Sequence, residues 1–400
     1  MGARDYLHTA DVRGLSRLMV DATIGLTNAV EVMHHNIMRT PFMFGAPTHE
    51  PAPGITGFVY DSIRGVTRVV GGSVDITLAQ LMPQEMESPS PPEREALLAA
   101  LNGVVGHHLD ASDNPLAIRM QLRSRGQALD GAGMDVMSPL GGKIVLLIHG
   151  LGMNDRQWQR QGHDHGAALA ADLGYTPVYL HYNSGLHISQ NGEALAGLLE
   201  GRLAHWPVPV EELVILGHSM GGLVARSACY YGGLAGHAWL HHLRKIVFLG
   251  TPHHGAPLER GGSWLNIILG ASPYSAALAR LGQVRSAGIT DLRYGSLRHE
   301  DWANGDRFAR AGDQRQPVPL PEGVLCYAIA ATTSHRVDGL KTQLLGDGLV
   351  PLNSALGYHK NPELALPIPP SRQWIGHTMG HLDLLHRREV YAQVRQWLAA

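Results

Sequence analysis

The segment Leu213-Val214-Ile215-Leu216-Gly217-His218-Ser219-Met220-Gly221-Gly222 sets a serine inside a Gly-x-Ser-x-Gly pentapeptide, after an apolar run and before a helical one. The bare pentapeptide is a weak signal, but its context is a strong one. A sharp strand-to-helix turn crowds the backbone, which is why glycine is wanted on both sides of the serine. Such a turn would lift the Ser219 hydroxyl above a sheet, at a helix N-terminus whose dipole favours developing negative charge. The chemistry open to this serine is attack on an acyl carbon. For that it needs a base to take its proton and donors to hold the oxyanion.

The rest of the chain offers both. The apolar run Lys143–Ile148 ends in His149-Gly150-Leu151-Gly152, a turn able to aim the backbone N–H of Leu151 at the same point as that of Met220. His149 reads as a structural hydrogen-bonding residue, because it precedes the serine and the chain order expected after such a turn is serine, acid, histidine. Near the C-terminus, Gly376-His377-Thr378-Met379-Gly380-His381-Leu382-Asp383 forms a loop just before the final helix. His381 is the first choice for the base and His377 the alternative. The acid should lie between the last clear strand, Val324–Ala330, and that loop. Asp347, between two glycines in Gly346-Asp347-Gly348-Leu349-Val350-Pro351, is preferred to Asp338 in Arg336-Val337-Asp338-Gly339. His163-Asp164-His165 and His253-His254 are metal-ligand types, yet their spacing matches no zinc motif, so no metal site is expected.

The elements that must position these residues change character along the chain. In the first hundred residues, Leu15, Leu18, Met19, Ala22, Leu26, Ala29, Met33 and Ile37 form one helical stripe. Ile55, Val59, Ile63, Val66, Val70, Val74, Leu78 and Leu81 form a second, and both are expected to pack as core or cap. Pro91-Pro92-Glu93 opens a third helix. After Asn114-Pro115 the period becomes two, with Leu116, Ile118, Met120 and Leu122 alternating as a half-buried strand. Apolar runs at 144–148, 178–180, 213–216, 246–249 and 324–330 then alternate with helical stretches near 155–173, 189–205 and 219–231. That alternation predicts a mostly parallel sheet covered on both faces. The expected organisation is a helical region over 1–110 and an α/β domain over 111–400, with a cap inserted at about 257–321. The cap carries Trp264, Leu265, Ile267, Ile268 and Leu269, and Trp264 is expected to line the acyl side of a substrate pocket.

In chain order, His149-Gly150-Leu151-Gly152, Gly217-His218-Ser219-Met220-Gly221-Gly222, Gly250-Thr251-Pro252-His253-His254-Gly255, Asp347-Gly348-Leu349-Val350-Pro351 and the His381 loop resemble the α/β-hydrolase-fold esterases and lipases. The resemblance is to bacterial triacylglycerol lipases and the related GPI-inositol-deacylase-like group, and covers about residues 110–400. It implies an α/β-hydrolase fold, a triad of Ser219, Asp347 and His381, and Leu151 and Met220 as oxyanion donors. It further implies a small-molecule ester substrate and no cofactor. The chain differs from secreted lipases in its N-terminal helices, and their calcium site is not traceable in it. A thioester, lactone or polyester is the alternative acyl substrate, since a triad does not encode the leaving group. A non-catalytic protein binding a membrane surface or a partner is the reading from a different class.

Composition narrows the field further. Lys+Arg 32 against Asp+Glu 34 gives a formal net charge of -2, which excludes the basic field of a nucleic-acid binder. Charged residues are 16%, low against the roughly 25% of an average domain. Two cysteines, Cys229 and Cys326, make no disulfide framework, and two buried thiols are expected. No apolar run approaches the ~18 residues of a membrane span. Met1-Gly2-Ala3-Arg4-Asp5-Tyr6 lacks a signal-peptide layout, so a cytoplasmic location is expected.

Overall fold

The structure, a computed structural model, describes residues 9–39, 54–81, 90–129, 140–256, 286–303, 312–335 and 346–400. The chain forms two compact units, Met1–Pro91 with Leu109–Ala117, and Pro92–His108 with Ile118–Ala400.

In the first unit, α1 (Thr9–Arg39) packs on α2 (Gly54–Leu81). Gly71 makes the close approach possible, since a Cβ there would collide with Val20. Arg13 and Arg17 reach Asp75 at 3.1 and 2.7 Å, and the hydrogen bond from Arg17 leads in holding that carboxylate down at about 2. Arg64 joins Glu31 and Asp61. The apolar stripe of α2 departs from expectation. Val59, Ile63, Val66 and Val70 of the stripe are exposed, Val66 at 64%, and so are Phe58 and Val69 beside it. The helix pair is thus tied by polar contacts while much of its apolar surface faces outward. None of the described helices is long and apolar enough to cross a membrane.

The second unit is built on a sheet of eight strands in the order β2-β1-β4-β3-β5-β6-β7-β8. The strands are β1 (Gln121–Ser124), β2 (Gln127–Ala128), β3 (Lys143–Ile148), β4 (Thr176–His181), β5 (Glu212–His218), β6 (Leu243–Leu249), β7 (Leu325–Thr332) and β8 (Gln373–His377). A β1–β2 hairpin runs antiparallel at one edge, and β3 to β8 are parallel. The strand expected from Leu116 begins only at Gln121. The N–H of Leu116 is taken by the Asn114 side chain, and that of Ile118 by Asn102 at 3.0 Å, so this stretch is held by side chains instead of a ladder.

Both faces are covered, as near-continuous apolar strands require. On one face Val145, Leu147, Val214, Leu216, Val247 and Ile329 form a core with Leu169 of α4 (His165–Leu173) and with Val390 and Val394 of the last helix, Arg388–Ala399. Ile144, Leu146, Ile215 and Phe248 alternate with them and are equally buried. On the far side, α5 (Ile188–Leu203) lies against α6 (Met220–Ala235), which packs on β5. The expected helix over 155–173 is broken into a 3-10 turn at Asp155–Trp158 and α4, with Gln161 and Gly162 at positive φ between them. Asp164 then caps α4, its side chain accepting from the N–H of Ala167. Cys229 and Cys326 are both buried free thiols.

Candidate active site

β5 ends at His218, and α6 starts at Met220, so Ser219 is the whole of the turn. Its φ of 56° and ψ of -127° lie where a residue with a Cβ is strained. The turn is held by the Ser219 N–H donating to the Leu249 carbonyl (2.8 Å) and by Gly222 N–H donating to the Ser219 carbonyl (3.1 Å). The glycines are required by space. A Cβ on Gly217 would lie 2.7 Å from the Gly222 Cα, and one on Gly221 would run into the Ile148 carbonyl of the neighbouring strand. The serine is buried, and its Oγ has no hydrogen-bond partner among the described residues.

Asp347 and His381 meet. The Nδ1–H of His381 donates to Asp347 Oδ2 at 2.6 Å, with both side chains buried. The other carboxylate oxygen accepts from the N–H groups of Leu349 (3.0 Å) and Val350 (2.9 Å), so the Gly-Asp-Gly turn fixes the acid. The His381 N–H also donates to the Asp347 carbonyl. Because Nδ1 carries the proton shared with Asp347, Nε2 is the basic nitrogen of the ring. His381 opens the 3-10 turn His381–Leu385 after β8. Its ring centroid lies 4.7 Å from that of His218, the residue before the serine, and a Cβ on Gly250 would come within 3.2 Å of it. The ends of β5 and β6 and the loop after β8 therefore converge on one point.

Gly150 brings the β3 turn to the same place, since a Cβ there would sit 3.0 Å from Ser219 Cβ. Leu151 follows it, and Gly152 is pinned at φ 69° with its N–H donating to Ser184 Oγ. Neither Leu151 nor Met220 gives its N–H to an acceptor among the described residues.

Four histidines around this point are spoken for. His149 stacks on Tyr182 with centroids 4.4 Å apart and donates to the Gly150 carbonyl; burial pushes it down to about 3. The Nε2–H of His218 donates to the His381 carbonyl (3.2 Å), and burial holds its ring neutral. His165 donates to the Leu384 carbonyl (2.9 Å) and accepts from His163 (2.8 Å), with burial lowering it to about 4. His218 and His165 thus anchor the turn that carries His381, a role that residue order alone did not single out. His377 is exposed at the end of β8. Asp338 and Trp264 lie outside the described residues.

The His163-Asp164-His165 triplet is committed to these contacts and to the α4 cap. Elsewhere Glu95, Asp155 and His181 are buried close enough together to suit a metal ion. Arg123 already contacts the two carboxylates at 3.0 and 3.2 Å and supplies the positive charge there.

The sheet order, the strand–serine–helix turn and the covering helices on both faces define an α/β-hydrolase fold. A family model described as "PGAP1-like alpha/beta domain" matches residues 203–316. Among solved structures, the mature lipase of Bacillus licheniformis is similar at 17% identity and a TM-score of 0.42, over 70% of this chain and 97% of that one. Lipase B of Aspergillus fumigatus is similar at 10% identity and a TM-score of 0.41, over 98% and 85%. A lipase-esterase related protein from Clostridium acetobutylicum is similar at 12% identity and a TM-score of 0.35, over 70% and 98%. No curated protein matches the chain.

Proposed function

We propose that the protein is a serine hydrolase of carboxylic esters. The observation that carries this reading is the buried Asp347–His381 hydrogen bond of 2.6 Å, with the His381 ring 4.7 Å from that of His218, which precedes a serine held at a positive φ. His381 Nε2 takes the proton from Ser219 as Oγ attacks the ester carbonyl carbon. The tetrahedral oxyanion is held by the backbone N–H groups of Leu151 and Met220, whose direction is fixed before substrate arrives. His381 then protonates the leaving alcohol, and the C–O bond breaks to leave an acyl-enzyme. Water, deprotonated by His381, repeats the sequence to release the acid and restore Ser219. Asp347 keeps the imidazole in the tautomer that presents Nε2 and stabilises the imidazolium.

Ser219→Ala should lower kcat for a p-nitrophenyl ester on the order of 10^4–10^6-fold, with the melting transition retained. A serine-directed phosphonate should label Ser219 alone. A folded variant with more than a tenth of wild-type turnover would overturn the assignment. Trp264, within the apolar cap sequence, belongs to this reading as a wall of the acyl side. Trp264→Ala should change the preference among acyl chain lengths while short esters are still turned over; an unchanged profile removes Trp264 from the site.

A further inference from the structure

Arg226 lies two turns into α6, about 10 Å along the helix from Ser219. Its side chain is buried, at 4% exposure, and lines a small, partly open pocket of about 20 Å³. The Nη2 group donates to the Val318 carbonyl at 2.6 Å, and Nη1 donates to His253 Nδ1 at 3.4 Å. Nε has no partner, and no carboxylate contacts the guanidinium among the described residues. The second arginine of the pocket makes the contrast plain. Arg315 is held by Asp313 through Nε (3.0 Å) and Nη2 (3.0 Å), and it gives Nη1 to the His253 carbonyl. Asp301 also lines the pocket, but its oxygens accept the backbone N–H groups of Leu297, Arg298 and Gln316.

A guanidinium out of water without an anion is costly, and its planar fork matches oxyanions. Burial lowers Arg226 to about 10, with repulsion from Arg315 adding to it, so it stays charged at neutral pH. His253 accepts from Arg226 at Nδ1, which puts its own proton on Nε2, a second buried donor with no partner among the described residues. Arg226 and His253 both line this partly open pocket, and two cationic or donor side chains there have the chemistry of an anion site.

We propose that the pocket beside Arg226 binds a small oxyanion of the phosphate or carboxylate class, with the Arg226 guanidinium as its charge partner. The site is separate from the Ser219 chemistry and stands whether or not esters are the substrate. The test is a thermal-shift and calorimetric titration of the full chain with inorganic phosphate and, separately, acetate, each against potassium chloride of equal ionic strength. Either anion should raise Tm by several degrees in a saturable way, and the one that does so names the class. Arg226→Met should weaken that affinity about 10-fold or more, and Ser219→Ala should leave it unchanged. The proposal is overturned if neither anion gives a saturable shift, if Arg226→Met responds like wild type, or if Ser219→Ala abolishes the response. Should Arg226→Met fail to fold, wild-type crystals soaked in selenate decide the matter. An anomalous peak within hydrogen-bonding reach of Arg226 supports the site, and its absence at saturating selenate removes it.

Discussion

At the scale of single residues, Asp347 and His218 both act on His381 but through different atoms, and substitution should separate them. Asp347 takes the Nδ1 proton, so Asp347→Asn should favour the wrong tautomer and lower kcat about 10^4-fold with little change in KM. The hydrogen bond of His218 goes to the His381 carbonyl and leaves that residue's imidazole nitrogens alone. His218→Phe should therefore cost about 1–3 kcal/mol from an unsatisfied buried acceptor, seen as a milder loss of kcat. Steady-state kinetics on the two variants checks the ranking, and equal losses would argue against it. Asp347 and His381, which the structure joins by a hydrogen bond, and Ser219 at the β5–α6 turn stand out in sequence because each sits in a short motif. The positioning histidines do not. Their partners are backbone carbonyls far along the chain, 163 residues away for His218 and 219 for His165, and a carbonyl leaves no mark on residue type.

At the scale of elements, the β5–α6 turn depends on the neighbouring strand as much as on itself. A Cβ at Gly221 has nowhere to go but into the Ile148 carbonyl, so Gly221→Ala should destabilise the sheet by about 1–3 kcal/mol and displace the neighbouring Met220 N–H too. Chemical denaturation alongside ester kinetics would reveal this, and a variant with wild-type stability and turnover would contradict it. The parallel strands were legible because strands buried on both faces read as continuous apolar runs. The start of β1 was not, since the period-two pattern from Leu116 is real while its N–H groups go to Asn114 and Asn102. The stripe on α2 misled in another way. Periodicity reports which side chains share a face but not whether anything covers it, and Val59, Ile63, Val66 and Val70 are exposed. Most of the third helix, α3 (Pro92–Ala111), namely Pro92–His108, falls in the same compact unit as the sheet.

At the scale of the whole molecule, several imidazoles are locked in the neutral form. Burial sets His149 at about 3 and His165 at about 4, and puts His218 and His253 well below the ordinary range. In the unfolded chain the same rings titrate near ~6.5. Between those values the unfolded state binds more protons, so stability rises with pH across the window. The contribution is complete above about 6.5 and is lost as pH falls toward about 4. Melting curves across that range should show Tm falling steeply on acidification. His165→Gln, which keeps a donor for the Leu384 carbonyl but does not titrate, should flatten the fall. A Tm independent of pH would mean that these rings are solvated.

The backbone of Ser219 has a consequence for how this protein could be improved. Its φ of 56° suits glycine and penalises serine, at roughly 1–3 kcal/mol, while glycine would return about 0.5–1 kcal/mol through the freer unfolded chain. Ser219→Gly should therefore melt higher than wild type while losing all turnover. Selection for thermostability alone, without an activity screen, would then tend to erase the proposed nucleophile, and a stabilisation campaign on this protein has to hold position 219 fixed.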